Sequence, residues 1–187
     1  MHKKKLTIAA VAACSLAAIL GQQTHANAAE AAPAADSSSS TSVTFTVTVG
    51  ALSITAPISS NLGSGAPGTT IGPTAIGPVT VTDNRAALGA VWTATASSTD
   101  FTTGGGTGPE TIPATDATYT AGTVTATGTV SAAAQPAFAL SGAPQTAVVG
   151  TGINGNNTAT WNPTISVAVP ASAVGGIYTA TLTHSVS

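Results

Sequence analysis

Asp83 and Arg85 stand two residues apart in the run Val79-Thr80-Val81-Thr82-Asp83-Asn84-Arg85. On an extended chain that spacing sets both side chains on one face. A guanidinium beside a carboxylate can close in two parallel hydrogen bonds. Two roles fit the pair: a clasp that closes the turn from Asp83 to Gly89, or a grip in which Arg85 takes a carboxylate from a binding partner. Other chemistry is poorly supplied. His2 and His25 fall in an N-terminal leader, which leaves His184 as the one histidine, and Cys14 is the single cysteine. Metal centres need several ligands at short spacing, whereas Asp83, Asp100, Glu110 and Asp116 are scattered singly. A serine nucleophile needs a base, and His184 alternates with Tyr178, Ala180, Leu182 and Val186 on an apolar face with no acidic neighbour. Glycoside cleavage would need two facing carboxylates, and the last three acids sit among turn residues. The inventory predicts no enzyme, no cofactor and no metal.

Aromatic side chains could serve a binding surface, because exposed Trp and Tyr stack well on sugars and partner proteins. Only two Trp, two Tyr and three Phe are present. A fold with so few large side chains needs them inside, so Trp92, which alternates with Ala94 and Ala96, and Trp161, which opens an apolar run, are expected in the core. Tyr178, Leu182 and His184 form a second candidate group near the C-terminus.

The elements that must position these residues read as strands. Val43, Phe45, Val47 and Val49 alternate with Thr44, Thr46 and Thr48, which predicts a half-buried strand. Similar period-two runs occur at 52–54, 79–81, 92–96, 124–130, 165–169 and 178–186. Thr, Val, Gly and Pro dominate while strong helix formers are scarce, so helix is nearly excluded. The expected fold is all-β, an antiparallel β-sandwich of the Ig-like kind, with a Thr-rich exposed sheet face that offers hydrogen bonds to a polar polymer. Gly63–Pro78 should form a long ordered loop or an edge. Gly104–Gly106 and Gly152–Asn157 should form flexible turns.

The N-terminus bears on location. Met1-His2-Lys3-Lys4-Lys5 precedes an apolar stretch from Leu6 to Leu20 and a small-x-small site at Ala26-Asn27-Ala28, which together read as a signal peptide over residues 1–28. The stretch is too short for a membrane helix, which takes about 20 apolar residues. Val11-Ala12-Ala13-Cys14 offers a rival route, lipidation at Cys14, that would anchor the chain by acyl groups. Residues 29–41, AEAAPAADSSSST, form a low-complexity leader expected to be disordered. Residues 42–187 are expected to form a single domain. Cleavage after residue 28 leaves 159 of 187 residues, with Arg85 alone against six carboxylates, a net charge of −5. Nucleic acid and anionic lipid, which are bound through Lys and Arg, are poor partners for such a chain. A secreted or cell-wall-associated location is expected, with no transmembrane segment in the mature protein. No sorting signal follows Ser187, which argues against covalent wall attachment.

Two segments carry a resemblance. Val79 to Ala96, with Asp83-x-Arg85, the turn at Gly89 and Trp92, followed by Phe101, resembles the first signature of the WxL domain of Gram-positive surface proteins. Ile165 to Thr183, with Pro170, Gly175-Gly176 and Tyr178-x-x-x-Leu182, resembles the second. The departures are Trp92-Thr93-Ala94 in place of Trp-x-Leu, and His184 where the family has its second-motif Trp. The resemblance implies a WxL-like sandwich that binds the cell wall non-covalently through peptidoglycan, sometimes beside other surface proteins. It marks Asp83, Arg85, Trp92, Tyr178, Leu182 and His184 as the positions to follow. The alternative is an adhesin- or pilin-like interaction protein whose edge strand pairs with another chain.

Overall fold

β-Branched residues alternating with small ones dictate strands wherever a neighbouring strand accepts their backbone groups. The computed structural model describes residues 37–187, so the expected signal peptide, its expected cleavage before Ala29 and the rival lipidation route at Cys14 lie outside the described residues. Two units divide the chain, Met1–Thr44 and Phe45–Ser187. In the first, Ser37–Thr44 carries no secondary structure and is exposed. The second is all-β, and its only helical elements are two single 3-10 turns at Gly108–Glu110 and Ala114–Asp116. Among the described residues no helix is long and apolar enough to cross a membrane.

Among the described residues twelve strands form three antiparallel sheets: β1 (Leu52–Thr55), β2 (Thr70–Ala75), β3 (Val79–Asp83), β4 (Leu88–Ser98), β5 (Phe101–Thr102), β6 (Thr111–Ile112), β7 (Ala117–Thr120), β8 (Val124–Ala134), β9 (Phe138–Ala139), β10 (Gln145–Trp161), β11 (Thr164–Ala168) and β12 (Leu182–Val186). β10 organises the six-stranded sheet. One of its flanks pairs with β8, while the other pairs with β4 through its first half and β3 through its second. β1 lies beside β3 and β12 beside β4. The four-stranded sheet runs β2-β11-β7-β9, and β5 with β6 makes a small ribbon.

Period two then places the core. Val79, Val81, Ala94, Ala96, Ala159 and Trp161 of the larger sheet are buried with Ala117, Tyr119, Ile165 and Val167 of the smaller one and with Leu140. Trp161 Nε1 donates to the Tyr119 hydroxyl at 3.0 Å, a polar bond from one sheet to the other within this apolar cluster.

Three expectations need correction. Val43–Val49 forms no strand, and Val43, Phe45, Val47 and Val49 are 83%, 88%, 68% and 67% exposed. Alternation makes a segment able to be half-buried, but burial needs a neighbour. The β1–β3 ladder ends where Gly50 N and Ala51 O both bond to Asn84, and the chain beyond Asn84 leaves strand geometry until Leu88. Gly152–Asn157 is no turn: it lies inside β10, where register shifts mark a bulged corner and Gly152 and Gly155 take φ of +64° and +74°. Glycine and asparagine there bend a continuous strand instead of ending it. The C-terminal strand is shorter than the run 178–186, spanning Leu182–Val186. Gly63–Pro78, expected as loop or edge, contains the edge strand β2.

Candidate functional site

Asp83 and Arg85 meet at the break between β3 and β4. β3 points Val79, Val81 and Asp83 inward, so the carboxylate is buried and must be paired. Arg85 Nε donates to Oδ1 at 2.9 Å, Arg85 Nη2 to Oδ2 at 2.8 Å, and the Arg85 backbone N–H to Oδ1 at 3.0 Å. The guanidinium lowers the Asp83 pKa against the opposing effect of burial, and the Arg85 pKa rises in turn. Nη2 also donates to the Val91 carbonyl at 3.0 Å, tying the start of β4 to the end of β3. Of the two roles open to the pair, this geometry is that of the clasp. The planar fork is engaged on one side by Asp83, with Val91 on its flank.

Trp92 stands on the inward face of β4 and is fully buried. Its Nε1 donates to Asn157 Oδ1 at 3.4 Å, and Asn157 faces Asp83 across the β3–β10 ladder. Gly150, opposite Trp92 on β10, leaves room for the indole: a Cβ there would overlap the ring. Asp83, Arg85 and Trp92 are therefore brought together, but as the packed inside of a corner.

The other three positions lie elsewhere. His184 and Leu182 are half-buried on β12, with His184 Nε2 3.1 Å from the Tyr119 hydroxyl. Burial lowers the His184 pKa and pushes Tyr119 up to about 12. Tyr178 precedes the strand, its hydroxyl 2.9 Å from the Val174 carbonyl and 3.1 Å from that of Pro109. A shallow groove of about 240 Å³ runs past His184, lined among others by Pro57, Ile58, Phe101, Ile165 and Leu182. Among the described residues no three His, Cys, Asp or Glu side chains gather to hold a metal.

The polar groups that do face outward in order are hydroxyls. Ser53, Thr82, Thr158 and Thr127 are mutual ladder partners across β1, β3, β10 and β8, and Thr55, Thr80, Thr160 and Thr125 form the next row. Residues of these rows share one face because they are two apart on each strand. The opposite face carries Ile54, Val81, Ala159 and Ala126. Neighbouring strands lie about 4.8 Å apart, so eight hydroxyls stand at about 4.8 Å across and about 6.7 Å along the strands. Thr80 bonds Thr160 at 2.9 Å, and Thr127 bonds Thr158, which fixes their rotamers. Ser53, Thr55, Thr125 and Thr127 are exposed. The face holds no charged side chain, since Asp83, the one acid of these four strands, points inward. A Thr-rich outer face was legible in the sequence; its members were not singled out, although Ser/Thr-x-Thr recurs at 53–55, 80–82, 125–127 and 158–160. No family model, no curated protein and no solved structure matches the chain.

Proposed function

We propose that this chain is a secreted, non-catalytic cell-surface protein that binds the glycan of the cell wall through the hydroxyl rows of its larger sheet. The two aligned rows on β1, β3, β10 and β8 support the reading most. A regular, uncharged set of donors and acceptors suits an extended polymer that repeats hydroxyl and amide groups, and it asks for no Lys or Arg, of which the mature part keeps only Arg85. The signal-like N-terminus and the resemblance to the WxL signatures around Asp83, Arg85, Trp92, Tyr178 and Leu182 point to peptidoglycan as that polymer. Asp83, Arg85 and Trp92 serve it indirectly, by holding the corner from which β3 and β4 diverge. Co-sedimentation of the secreted chain with purified peptidoglycan, beside variants of the rows, tests the proposal.

A further inference from the structure

We infer that the segment Val43–Val49 of one copy adds as a strand to the outer edge of β8 in a second copy. Both surfaces lack a partner. Val43, Phe45, Val47 and Val49 are large, apolar and mostly exposed, and no backbone bond holds Phe45–Val49 among the described residues. β8 is eleven residues long and pairs with β10 alone. Its sequence, Val-Thr-Ala-Thr-Gly-Thr-Val-Ser-Ala-Ala-Ala, contains no charge and no proline, the two devices that commonly protect an edge from pairing.

The patterns of the two strands are complementary. β8 turns Val124, Ala126, Val130 and Ala132 to the core side and Thr125, Thr127, Thr129 and Ser131 to the outer side. The arm offers Val43, Phe45, Val47 and Val49 on one side and Thr44, Thr46 and Thr48 on the other. Laid in matching parity, the arm covers the half-exposed apolar border of β8 and continues the hydroxyl rows by one strand. Strand addition of this kind takes affinity from main-chain bonds and specificity from alternate side chains.

The same chain cannot make this contact. β1, β3, β10 and β8 are successive neighbours, so the position beyond β8 lies four strand spacings, about 19 Å, from the line of β1. Phe45–Val49 reaches about 17 Å when fully extended, and crossing would leave none of it to pair. In line with β1, Arg85 already donates to the Val91 carbonyl of β4. A second copy meets neither limit. The contact is heterologous, so it propagates from copy to copy.

This inference is independent of wall binding, and its test needs no wall. The secreted chain is compared by sedimentation equilibrium with an arm variant, Phe45→Asp with Val47→Asp, and an edge variant, Ala126→Lys with Ala134→Lys. All four side chains concerned lie on exposed positions, and unchanged circular dichroism and melting of the dilute variants confirm their folds. The parent should rise in mean mass with concentration, each variant alone should stay at the mass of one chain, and their equimolar mixture should reach the mass of two, since one supplies the arm and the other the edge. A parent that stays a single chain at high concentration, a variant that assembles like the parent, or a mixture without complementation overturns the inference.

Discussion

Tyr119 stands between Trp161 and His184 and shares a hydrogen bond with each. The indole can only donate, so the Tyr119 oxygen accepts from Trp161 at 3.0 Å, and His184 Nε2 lies 3.1 Å from the same oxygen. With the Tyr119 hydroxyl turned toward it, Nε2 accepts and the ring is neutral with its proton on Nδ1. Burial, which lowers the His184 pKa from its ordinary 6.5, agrees with this.

Stability should therefore fall as pH drops below neutrality. The unfolded chain protonates His184 near 6.5 while the folded ring resists, so the unfolded state binds more protons in the interval between its own pKa and the lower folded one. Stabilisation present above 6.5 is lost through that interval. Melting temperatures across it should decline for the parent and hold level for His184→Gln.

Trp92→Ala should destabilise the fold by about 3–5 kcal/mol, the usual loss for truncating a buried Trp. Gly150→Ala should cost about 1–3 kcal/mol by the opposite route, forcing a methyl into the indole. Denaturant titrations of each variant check both values. Because the two residues touch, the double variant should cost less than the two losses added, since the cavity left by Trp92 accepts the new methyl.

Arg85→Ala should strip the buried Asp83 carboxylate of both guanidinium bonds. A charged acceptor stripped of its partner costs about 2–3 kcal/mol, and Arg85→Lys should restore part of this, since a single ammonium cannot reproduce the fork. Asp83 has its folded pKa held below the ordinary 3.8, so the stability it contributes is present above 3.8 and is lost as pH falls through the folded value. Asp83→Asn should remove that acid step in thermal melts.

The architecture was legible where alternation coincided with a partner strand. Val79–Val81, Trp92–Ala96 and Val124–Val130 read as strands and are strands, since each has a ladder neighbour. Val43–Val49 carries the same pattern and forms none, because pairing is a property of two segments. β10 was hidden for the reverse reason: Gly152-Ile153-Asn154-Gly155-Asn156-Asn157 has turn chemistry, yet flanking strands on both sides carry the chain through it. That Asp83 and Arg85 share a face followed from local spacing, while the choice of clasp over grip needed the bonds themselves. The bond between Tyr119 and His184 joins residues 65 positions apart, and the hydroxyl rows depend on inter-strand register, which no single strand encodes.

Co-sedimentation with purified peptidoglycan tests the proposed function most directly, using Ser53→Ala, Thr55→Val, Thr125→Val and Thr127→Val together. Valine keeps the β-branched shape and strand preference of threonine, so this variant should melt like the parent. Each hydroxyl contact is worth about 0.5–1.5 kcal/mol, and four lost contacts should weaken binding at least about tenfold. The account predicts a parent that pellets with the wall and a variant that stays in solution. A folded variant that pellets as well as the parent, or a parent that does not pellet, contradicts it.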